Sequence, residues 1–188
     1  MTALRAALVS LFFLTLVTGV AYPLLVTGIA QAAFPNQANG SLVRDASGLR
    51  GSRLVGQPFA DPRYFWGRPS ATRPAYNGGA STGSNLGPSN PALLEAVRAR
   101  VVALRAADPE NTAPLPVDLV TTSGSGLDPH VSLAAAGYQV SRVAKARGLP
   151  GERVRRLVQA HTRGRALGVL GEPRVNVLEL NLALDQLK

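Results

Sequence analysis

The chain has 188 residues, no cysteine and a formal net charge of +9. The absence of cysteine excludes disulfide bonds, thiolate metal sites and a cysteine nucleophile. Aromatic residues make up only 5% of the chain and none lies among the clustered arginines, so a base-stacking surface for nucleic acid is not expected.

The first predicted element is a transmembrane helix. Between Arg5 and Arg44 lie 38 consecutive residues without a charge, rich in Leu, Val, Ala, Phe and Ile. A helix needs ~20 apolar residues to cross a bilayer core, so we expect a span over residues 7–33 after a cytoplasmic tail of residues 1–6. A cleaved signal peptide is the alternative, but its apolar region is usually only ~7–15 residues long. The basic N-terminal flank, Arg5, favours a cytoplasmic N-terminus and a main domain on the outer face.

One face of this helix carries a repeated spacing. Thr15, Gly19 and Pro23 follow one another at steps of four, and Tyr22 lies beside them. Small residues at this spacing let helices approach closely in lipid, so the pattern predicts a packing face for a larger membrane partner. A single span that merely tolerates these residues fits the pattern equally well.

Residues 34–188 have the size of one domain, which we expect to be α+β and extracytoplasmic. Glycine and proline are frequent over residues 34–90, at a density that breaks regular elements. One short strand is expected over residues 52–57, within an otherwise irregular arm. Disordered segments are poor in aromatic residues, so the aromatic content of the arm favours a fixed conformation over a flexible linker. These aromatic residues include Tyr64, Phe65, Trp66 and Tyr76.

Residues 91–188 are better patterned and read as the helix-rich part of the domain. Asn90 followed by Pro91 is typical of a helix start, with an Asn cap and proline at the first helical position. Asp128 followed by Pro129 repeats that signal. The elements expected after the first helix are a strand over 117–122 and helices over 129–147, 152–162 and 175–187.

The sequence SGSGLDPH, residues 123–130, holds the residue types of a hydrolytic triad in Ser123, Ser125, Asp128 and His130. A membrane-anchored hydrolase using Ser123 or Ser125 with His130 is therefore one hypothesis. A GxSxG elbow needs glycine two positions on either side of the serine, which this loop lacks. In the competing structural interpretation, Asp128 caps a helix, the glycines shape a turn and His130 lies in the first helical turn.

Nucleotide and metal sites have little support. The chain lacks the GxxxxGK[ST] pattern of a phosphate-binding loop. His130 and His161 are the only histidines, and neither has a partner at metal-ligand spacing. His161 lies on an apolar helical stripe, which favours a packed core position.

A basic cluster spans residues 142–165, with Glu152 as its only acidic residue. A solvated helix face is the expected arrangement, and attraction to anionic lipid head groups is the functional alternative. The cluster consists of Arg142, Lys145, Arg147, Arg153, Arg155, Arg156, Arg163 and Arg165.

Seven short sequences, in this order, resemble the C subunit of the Kdp potassium-transporting ATPase, and they extend over nearly the whole chain. They are TGVAYPLLVTGIAQ (18–31), GSRLVGQPF (51–59), RPSA (68–71), YN (76–77), GSNLGPSNP (83–91), SGSGLDPH (123–130) and LGEPRVNVLELNLALD (170–185). The residues singled out as structural or interface positions in these motifs are Arg68, Asn77, Ser84, Asn85, Asn90, Ser123, Ser125, Asp128 and His130.

The resemblance implies a non-catalytic subunit of a bacterial plasma-membrane complex for high-affinity, ATP-driven potassium uptake. Its partners would be a channel-like potassium-translocating subunit, a P-type ATPase subunit and a small single-span subunit. The family's C subunit is described as a catalytic chaperone that raises the ATP affinity of the ATPase subunit. No cofactor is then expected on the chain itself, and ATP and K⁺ are handled by the partners, with ATP at most shared in a transient ternary complex.

Overall fold

The computed structural model describes residues 2–45 and 48–187, which fall into two compact units, Met1–Arg50 and Gly51–Lys188. The first unit begins with α1 (Thr2–Leu16), a π-helical segment (Val17–Ala21) and α2 (Tyr22–Ala33). A short helix α3 (Pro35–Ala38) and a two-stranded hairpin, β1 (Leu42–Asp45) and β2 (Gly48–Ser52), follow.

The first three segments form one continuous helix, Thr2–Ala33, which starts five residues before the expected position 7. In the described residues it is the one helix long and apolar enough to cross a membrane. Pro23 has no backbone N–H to donate, and its ring would crowd the preceding turn of an α-helix. The π-helical segment ends at Ala21, two positions before Pro23, and its wider turn allows the helix to continue.

The second unit is built on three short antiparallel strands in the order β3-β5-β4. These are β3 (His130–Ser132), β4 (Thr162–Arg163) and β5 (Arg174–Asn176), with Val131 opposite Val175 and Thr162 also opposite Val175. Four helices accompany the sheet: α4 (Pro91–Ala107), α5 (Leu133–Arg147), α6 (Gly151–Ala160) and α7 (Val177–Asp185). The α+β fold class is confirmed.

The core of this unit lies where α5, α6 and α7 pack against the central strand. Its fully buried apolar side chains include Phe65, Val131, Val143, Val154, Val175, Leu180 and Leu184. Phe65 comes from the irregular arm, so the arm contributes to the core of the domain. The arm is thus ordered by burial and not by regular hydrogen bonding.

Two predicted helix boundaries are confirmed. Helix α4 begins at Pro91, where the Asn90 side chain accepts a hydrogen bond from the Ala92 N–H at 2.9 Å. Helix α5 ends at Arg147, because Gly148 adopts the left-handed conformation at φ +65°. Such a position favours glycine, which has no Cβ to clash.

The predicted start of α5 is wrong. Asp128 does not cap a helix: its carboxylate accepts a hydrogen bond from the His130 N–H at 3.0 Å and forms a local turn. His130 then enters β3, so it does not lie in a helical turn. The actual cap is Ser132, whose hydroxyl accepts from the Ala135 N–H at 3.0 Å. A cap signal followed by proline also suits a turn that leads into a strand.

Both predicted strands outside the sheet are wrong. Residues 53–57 are turn and irregular backbone after β2 has ended at Ser52. Over residues 117–122 the structure has a 3₁₀ turn, Val117–Leu119, in which Asp118 accepts hydrogen bonds from the backbone and hydroxyl of Ser132. In both places apolar residues that resemble a strand lack a neighbouring strand to pair with.

The predicted C-terminal helix begins later than expected. Residues 174–176 pair with β3 and β4 as the central strand, and Asn176 then caps α7 by accepting from the Glu179 N–H at 3.1 Å. The helical spacing of the leucines describes α7 only. Residues 174–176 form a strand because they pair with β4, more than ten residues earlier in the chain, and with β3, more than forty residues earlier.

The expected solvated basic face is wrong at Arg147, whose side chain is 15% exposed and pairs with Asp185 at 2.7 Å, and at Arg142. The Arg142 side chain is 5% exposed, in the middle of the domain, whereas Arg153, Arg155 and Arg156 are exposed on α6. His161 is half-buried at the end of α6, where its Nδ1 lies 3.0 Å from the Leu157 carbonyl oxygen.

Candidate functional site

The motifs that are dispersed in sequence meet around residues 123–130, here called the motif loop. The Thr82 N–H donates to the Ser125 carbonyl at 2.9 Å, and the Gly56 N–H donates to the Leu127 carbonyl at 2.8 Å. The Ser70 hydroxyl donates to the Gly126 carbonyl at 2.6 Å. Three separate stretches of the arm are therefore hydrogen-bonded to one short loop.

Glycine is required at two points of this contact. Gly126 has φ +68°, and a Cβ there would lie 2.5 Å from the Thr82 carbonyl oxygen and 2.9 Å from Thr72 Cγ2. A Cβ on Gly56 would lie 2.4 Å from the Tyr76 ring and 2.8 Å from the Asp128 carbonyl oxygen. The close approach of the arm to the motif loop depends on the missing side chains.

Arg68 and Tyr76 complete the attachment. The Tyr76 hydroxyl donates to the Arg68 carbonyl at 2.5 Å, and burial raises the pKa of Tyr76. The Arg68 guanidinium donates to the Thr122 carbonyl at 3.2 Å and lies 3.4 Å from the Asp128 carboxylate. RPSA, YN and SGSGLDPH therefore form one connected polar network.

The Asp128 carboxylate is committed to this network. Its Oδ1 accepts from the His130 N–H and lies 3.3 Å from His130 Nδ1. Partial burial would raise the pKa of Asp128, but the hydrogen bonds to His130 and the charges of His130 and Arg68 outweigh it and lower the pKa. The contacts with Arg68 and with the His130 N–H therefore hold the Asp128 carboxylate beside the His130 ring.

The hydrolase hypothesis requires a serine hydroxyl within reach of a histidine base. Ser123 is buried, and the Ser125 hydroxyl accepts from the Leu127 N–H at 3.1 Å. Within residues 2–45 and 48–187, no hydrogen bond joins either serine to His130. The structure brings His130 to Asp128 but does not bring a serine nucleophile to His130.

The remaining motif residues shape the arm or begin a helix. The Asn77 backbone N–H donates to the Thr72 hydroxyl oxygen at 2.9 Å, and the Asn77 side-chain oxygen accepts from the Gly79 N–H at 3.0 Å. Ser84 is half-buried and Asn85 is exposed in the left-handed conformation at φ +52°. Asn90 caps α4, as already described.

The candidate helix-packing face lies entirely on the long N-terminal helix. Thr15, Gly19, Tyr22 and Pro23 are all exposed. A Cβ built on Gly19 would lie 3.8 Å from the Thr15 methyl group, an ordinary contact. Gly19 therefore leaves a shallow notch beside Thr15, and the helix by itself would accommodate a larger side chain at this position.

Two buried amides, which the sequence analysis did not single out, fix the aromatic segment, residues 61–68. Asn181 of α7 accepts from the Phe65 N–H at 2.8 Å and donates to the Phe65 carbonyl at 2.9 Å. Gln139 of α5 makes the same pair of bonds with Trp66, at 2.8 and 3.1 Å. Each amide replaces the partner strand that this extended backbone lacks, and neither residue has a sequence signal of its own.

Arg142 of α5 also contacts the aromatic segment. Its guanidinium lies 4.1 Å from the Trp66 ring centroid and donates to the Pro62 and Tyr64 carbonyls at 2.6 and 3.1 Å. Burial lowers the pKa of Arg142 to about 10. In the sequence this arginine is indistinguishable from its exposed neighbours.

A cavity of about 300 Å³ lies beside the segment, between the arm and α4. Its walls include Phe59, Trp66 and Leu104, with Arg100 among the lining residues. Its volume is at the lower end of small-ligand sites. No group of three or more potential metal-ligating side chains is found in the described part of the chain.

The chain is similar to known proteins over nearly its whole length. Residues 4–186 match the family model "K+-transporting ATPase, c chain". The chain belongs to the KdpC family. A potassium-transporting ATPase KdpC subunit from Sorangium cellulosum is 71% identical over 97% of this chain and 96% of its own length. The corresponding proteins of Methylococcus capsulatus and Herpetosiphon aurantiacus are 64% and 63% identical, over 98% and 100% of this chain and 97% of each relative.

Proposed function

We propose that this chain is a non-catalytic accessory and assembly subunit of an ATP-driven potassium uptake complex. The observation that supports this function is that the motif residues make structural contacts within the domain. Their polar groups join the arm to the motif loop and leave no serine–histidine pair in the described residues. The relatives' name, potassium-transporting ATPase KdpC subunit, agrees with that role.

The partners we propose are those implied by the family: a channel-like subunit, a P-type ATPase subunit and a small single-span subunit. The N-terminal helix would cross the bacterial plasma membrane with its N-terminus in the cytoplasm. The domain of residues 51–188 would then lie on the outer face. Thr15, Gly19, Tyr22 and Pro23 supply the contact within the membrane.

ATP is cytoplasmic, whereas the proposed position of the domain is outside. Any effect of this chain on ATP affinity is then a shift between conformations of the ATPase subunit, transmitted through the membrane partners. The chain would bind no nucleotide alone, and ATP would be shared at most in a transient ternary complex. Saturable ATP binding by the purified full chain would contradict this part of the proposal.

The assembly role is tested by enlarging the helix-packing face. Gly19→Ile fills the notch beside Thr15. Gly28→Ile is the matched control, because five α-helical residues at about 100° each turn it about 140° away from Pro23 on that face. The tagged chain is purified from its host's membranes under potassium limitation. We expect the unchanged chain and Gly28→Ile to bring the P-type ATPase and channel-like subunits with potassium-stimulated ATP hydrolysis, and Gly19→Ile to lose them.

Two results would count against the proposal. If the unchanged chain is extracted intact but without partner subunits, it is not an assembly subunit. If Gly19→Ile retains every partner as well as Gly28→Ile does, the helix face is not the contact, and the assembly role must lie in the domain alone.

A further inference from the structure

Residues 165–171, here called the apolar loop, expose three large side chains within four positions. Leu167 is 90% exposed, Val169 72% and Leu170 60%. Single exposed apolar residues are common on protein surfaces, but a contiguous group marks a contact surface. The proposed role of the motif loop makes no use of this group.

The apolar loop is held in a defined conformation. The Ala166 N–H donates to the Leu170 carbonyl at 2.8 Å, and the Leu170 N–H returns a bond to Ala166 at 2.9 Å. At its base the Arg165 guanidinium contacts both oxygens of Glu172, at 2.8 and 2.9 Å. The three apolar side chains are therefore presented on a preorganised hairpin.

Leu167 has no evident benefit for the fold. It adopts φ +53°, the left-handed conformation that costs a residue with a Cβ roughly 1–2 kcal/mol. Its side chain is almost fully exposed, so packing does not offset that cost. A bulky apolar side chain in such a position is explained by a contact outside the chain.

Positive charge lies on both sides of the loop in sequence. Arg153 and Arg156 are exposed on α6, which precedes β4, and Arg174 is exposed at the start of β5, three residues after the loop. In the described residues none of these three guanidinium groups makes a hydrogen bond or an ion pair. Unpaired arginines that flank an apolar group along the chain suit a surface with anionic head groups above a hydrocarbon layer.

The proposed membrane span keeps the domain close to a bilayer surface. Only 17 residues separate the end of the N-terminal helix at Ala33 from Gly51, where the domain begins. At roughly 3.5 Å per residue they reach at most about 60 Å, so a domain joined to a membrane span stays close to a bilayer. A tether of this kind makes even a weak second contact with the same bilayer effective.

We propose that the apolar loop inserts Leu167, Val169 and Leu170 into the interface of an anionic bilayer, with Arg153, Arg156 and Arg174 at the lipid phosphates. This lipid contact rests on the proposed membrane span but not on the proposed pump function. It gives the exposed part of the basic cluster a role and orients the domain against the membrane surface.

The chain contains no cysteine, so a single introduced cysteine carries a unique label. Gly164→Cys is chosen because a Cβ there meets nothing within 4 Å and the three apolar side chains stay intact. Val102→Cys, on the exposed side of α4, is the control. Both are labelled with nitrobenzoxadiazole in the full chain and reconstituted without other proteins in vesicles of phosphatidylcholine and phosphatidylglycerol, with and without brominated lipid.

We expect blue-shifted emission and bromine quenching for the label at 164 and neither for the label at 102. Leu167→Asn, which tolerates the left-handed conformation, should abolish the quenching without unfolding the domain. The quenching of the label at 164 should be stronger in vesicles that contain phosphatidylglycerol than in vesicles of phosphatidylcholine alone. Arg153→Gln combined with Arg156→Gln should abolish that difference in quenching. High salt should weaken that difference as well.

Equal, unquenched emission from both labels would overturn the proposal. Quenching at 164 that persists unchanged in Leu167→Asn would also overturn it, because the side chain would then be irrelevant. If the label at 164 becomes shielded only when other subunits are present, and brominated lipid still has no effect, the loop docks on a protein and the lipid assignment is wrong.

Discussion

The aromatic segment (61–68) and the apolar loop (165–171) reverse the usual relation between regular structure and burial. The aromatic segment has no regular secondary structure, yet Phe65 is completely buried and its backbone is bonded to Asn181. The apolar loop contains a hydrogen-bonded hairpin bridge, yet Leu167 is almost fully exposed. Irregular backbone here belongs to the core, and ordered backbone supports an outward surface.

The difference lies in which groups satisfy the backbone. Side chains of α5 and α7 provide the hydrogen bonds of the aromatic segment, so losing one of them leaves buried backbone groups unpaired. The apolar loop satisfies its own backbone, so its side chains are free to be chosen for contact. Substitutions in the aromatic segment should therefore lower the free energy of unfolding strongly, and substitutions in the apolar loop should change it little.

The largest effect is expected at Arg142. Arg142→Ala removes a stacked guanidinium and leaves the Pro62 and Tyr64 carbonyls without a donor. We expect the free energy of unfolding to fall by about 3 kcal/mol. Urea unfolding followed by fluorescence of Trp66, the only tryptophan, measures this in the full chain. Arg153→Ala, exposed on α6, should change it little, and equal effects of the two variants would refute the distinction drawn within the basic cluster.

Gly126→Ala tests the contact between the arm and the motif loop. The new Cβ would be strained at φ +68° and would meet the Thr82 carbonyl oxygen at 2.5 Å. We expect a loss of about 2 kcal/mol in unfolding free energy. Gly124→Ala is the control in the same loop, since a Cβ there meets nothing within 4 Å. A stable Gly126→Ala chain would mean that the arm is not held against the loop.

The Asp128 carboxylate should make part of the stability depend on pH. Its pKa is lowered in the folded chain from the ordinary 3.8, so its stabilising contribution is present above that value and is lost as pH falls through the folded pKa. Asp128→Asn should lower stability by about 1 kcal/mol at neutral pH, from the weakened bonds to His130 and Arg68. Chemical denaturation at pH 7 and below pH 4 should show a smaller acid loss in the variant than in the unchanged chain.

The smallest effect, with the opposite sign, is expected at the apolar loop. Leu167→Gly relieves the left-handed strain, so the unfolding free energy should rise by about 0.5 kcal/mol or stay unchanged. The same denaturation assay measures it. A clear loss of stability would show that Leu167 serves the fold, and the comparison with the aromatic segment would fail at that point.

Helix boundaries were predictable where a local signal dominates. Asn90 and Pro91 start α4, and Gly148 ends α5, because capping depends on a few adjacent residues. The same reasoning failed at Asp128, where a similar signal, Asp followed by Pro, leads into β3. Whether a cap is used by a helix or by a turn depends on what the following residues pair with, and that information lies in β5.

The candidate site was predictable in composition but not in arrangement. The motifs pointed to Arg68, Asp128 and His130, yet only the fold joins them across some sixty residues of chain. The sequence pattern did not single out Gln139 and Asn181, and it predicted a solvated position for Arg142, because a buried polar residue resembles an exposed one until its partner is known. The same holds for Leu167, whose exposure contradicts its apolar character.

The sequence by itself predicted the long apolar N-terminal helix, the α+β fold class and the family, because apolar length and ordered motifs are properties of neighbouring residues. Only the tertiary structure decided that the Gly- and Pro-rich arm belongs to the core, which arginine is buried and which apolar side chains remain exposed. These outcomes depend on contacts between residues far apart in the chain, where burial and hydrogen bonding outweigh local preference.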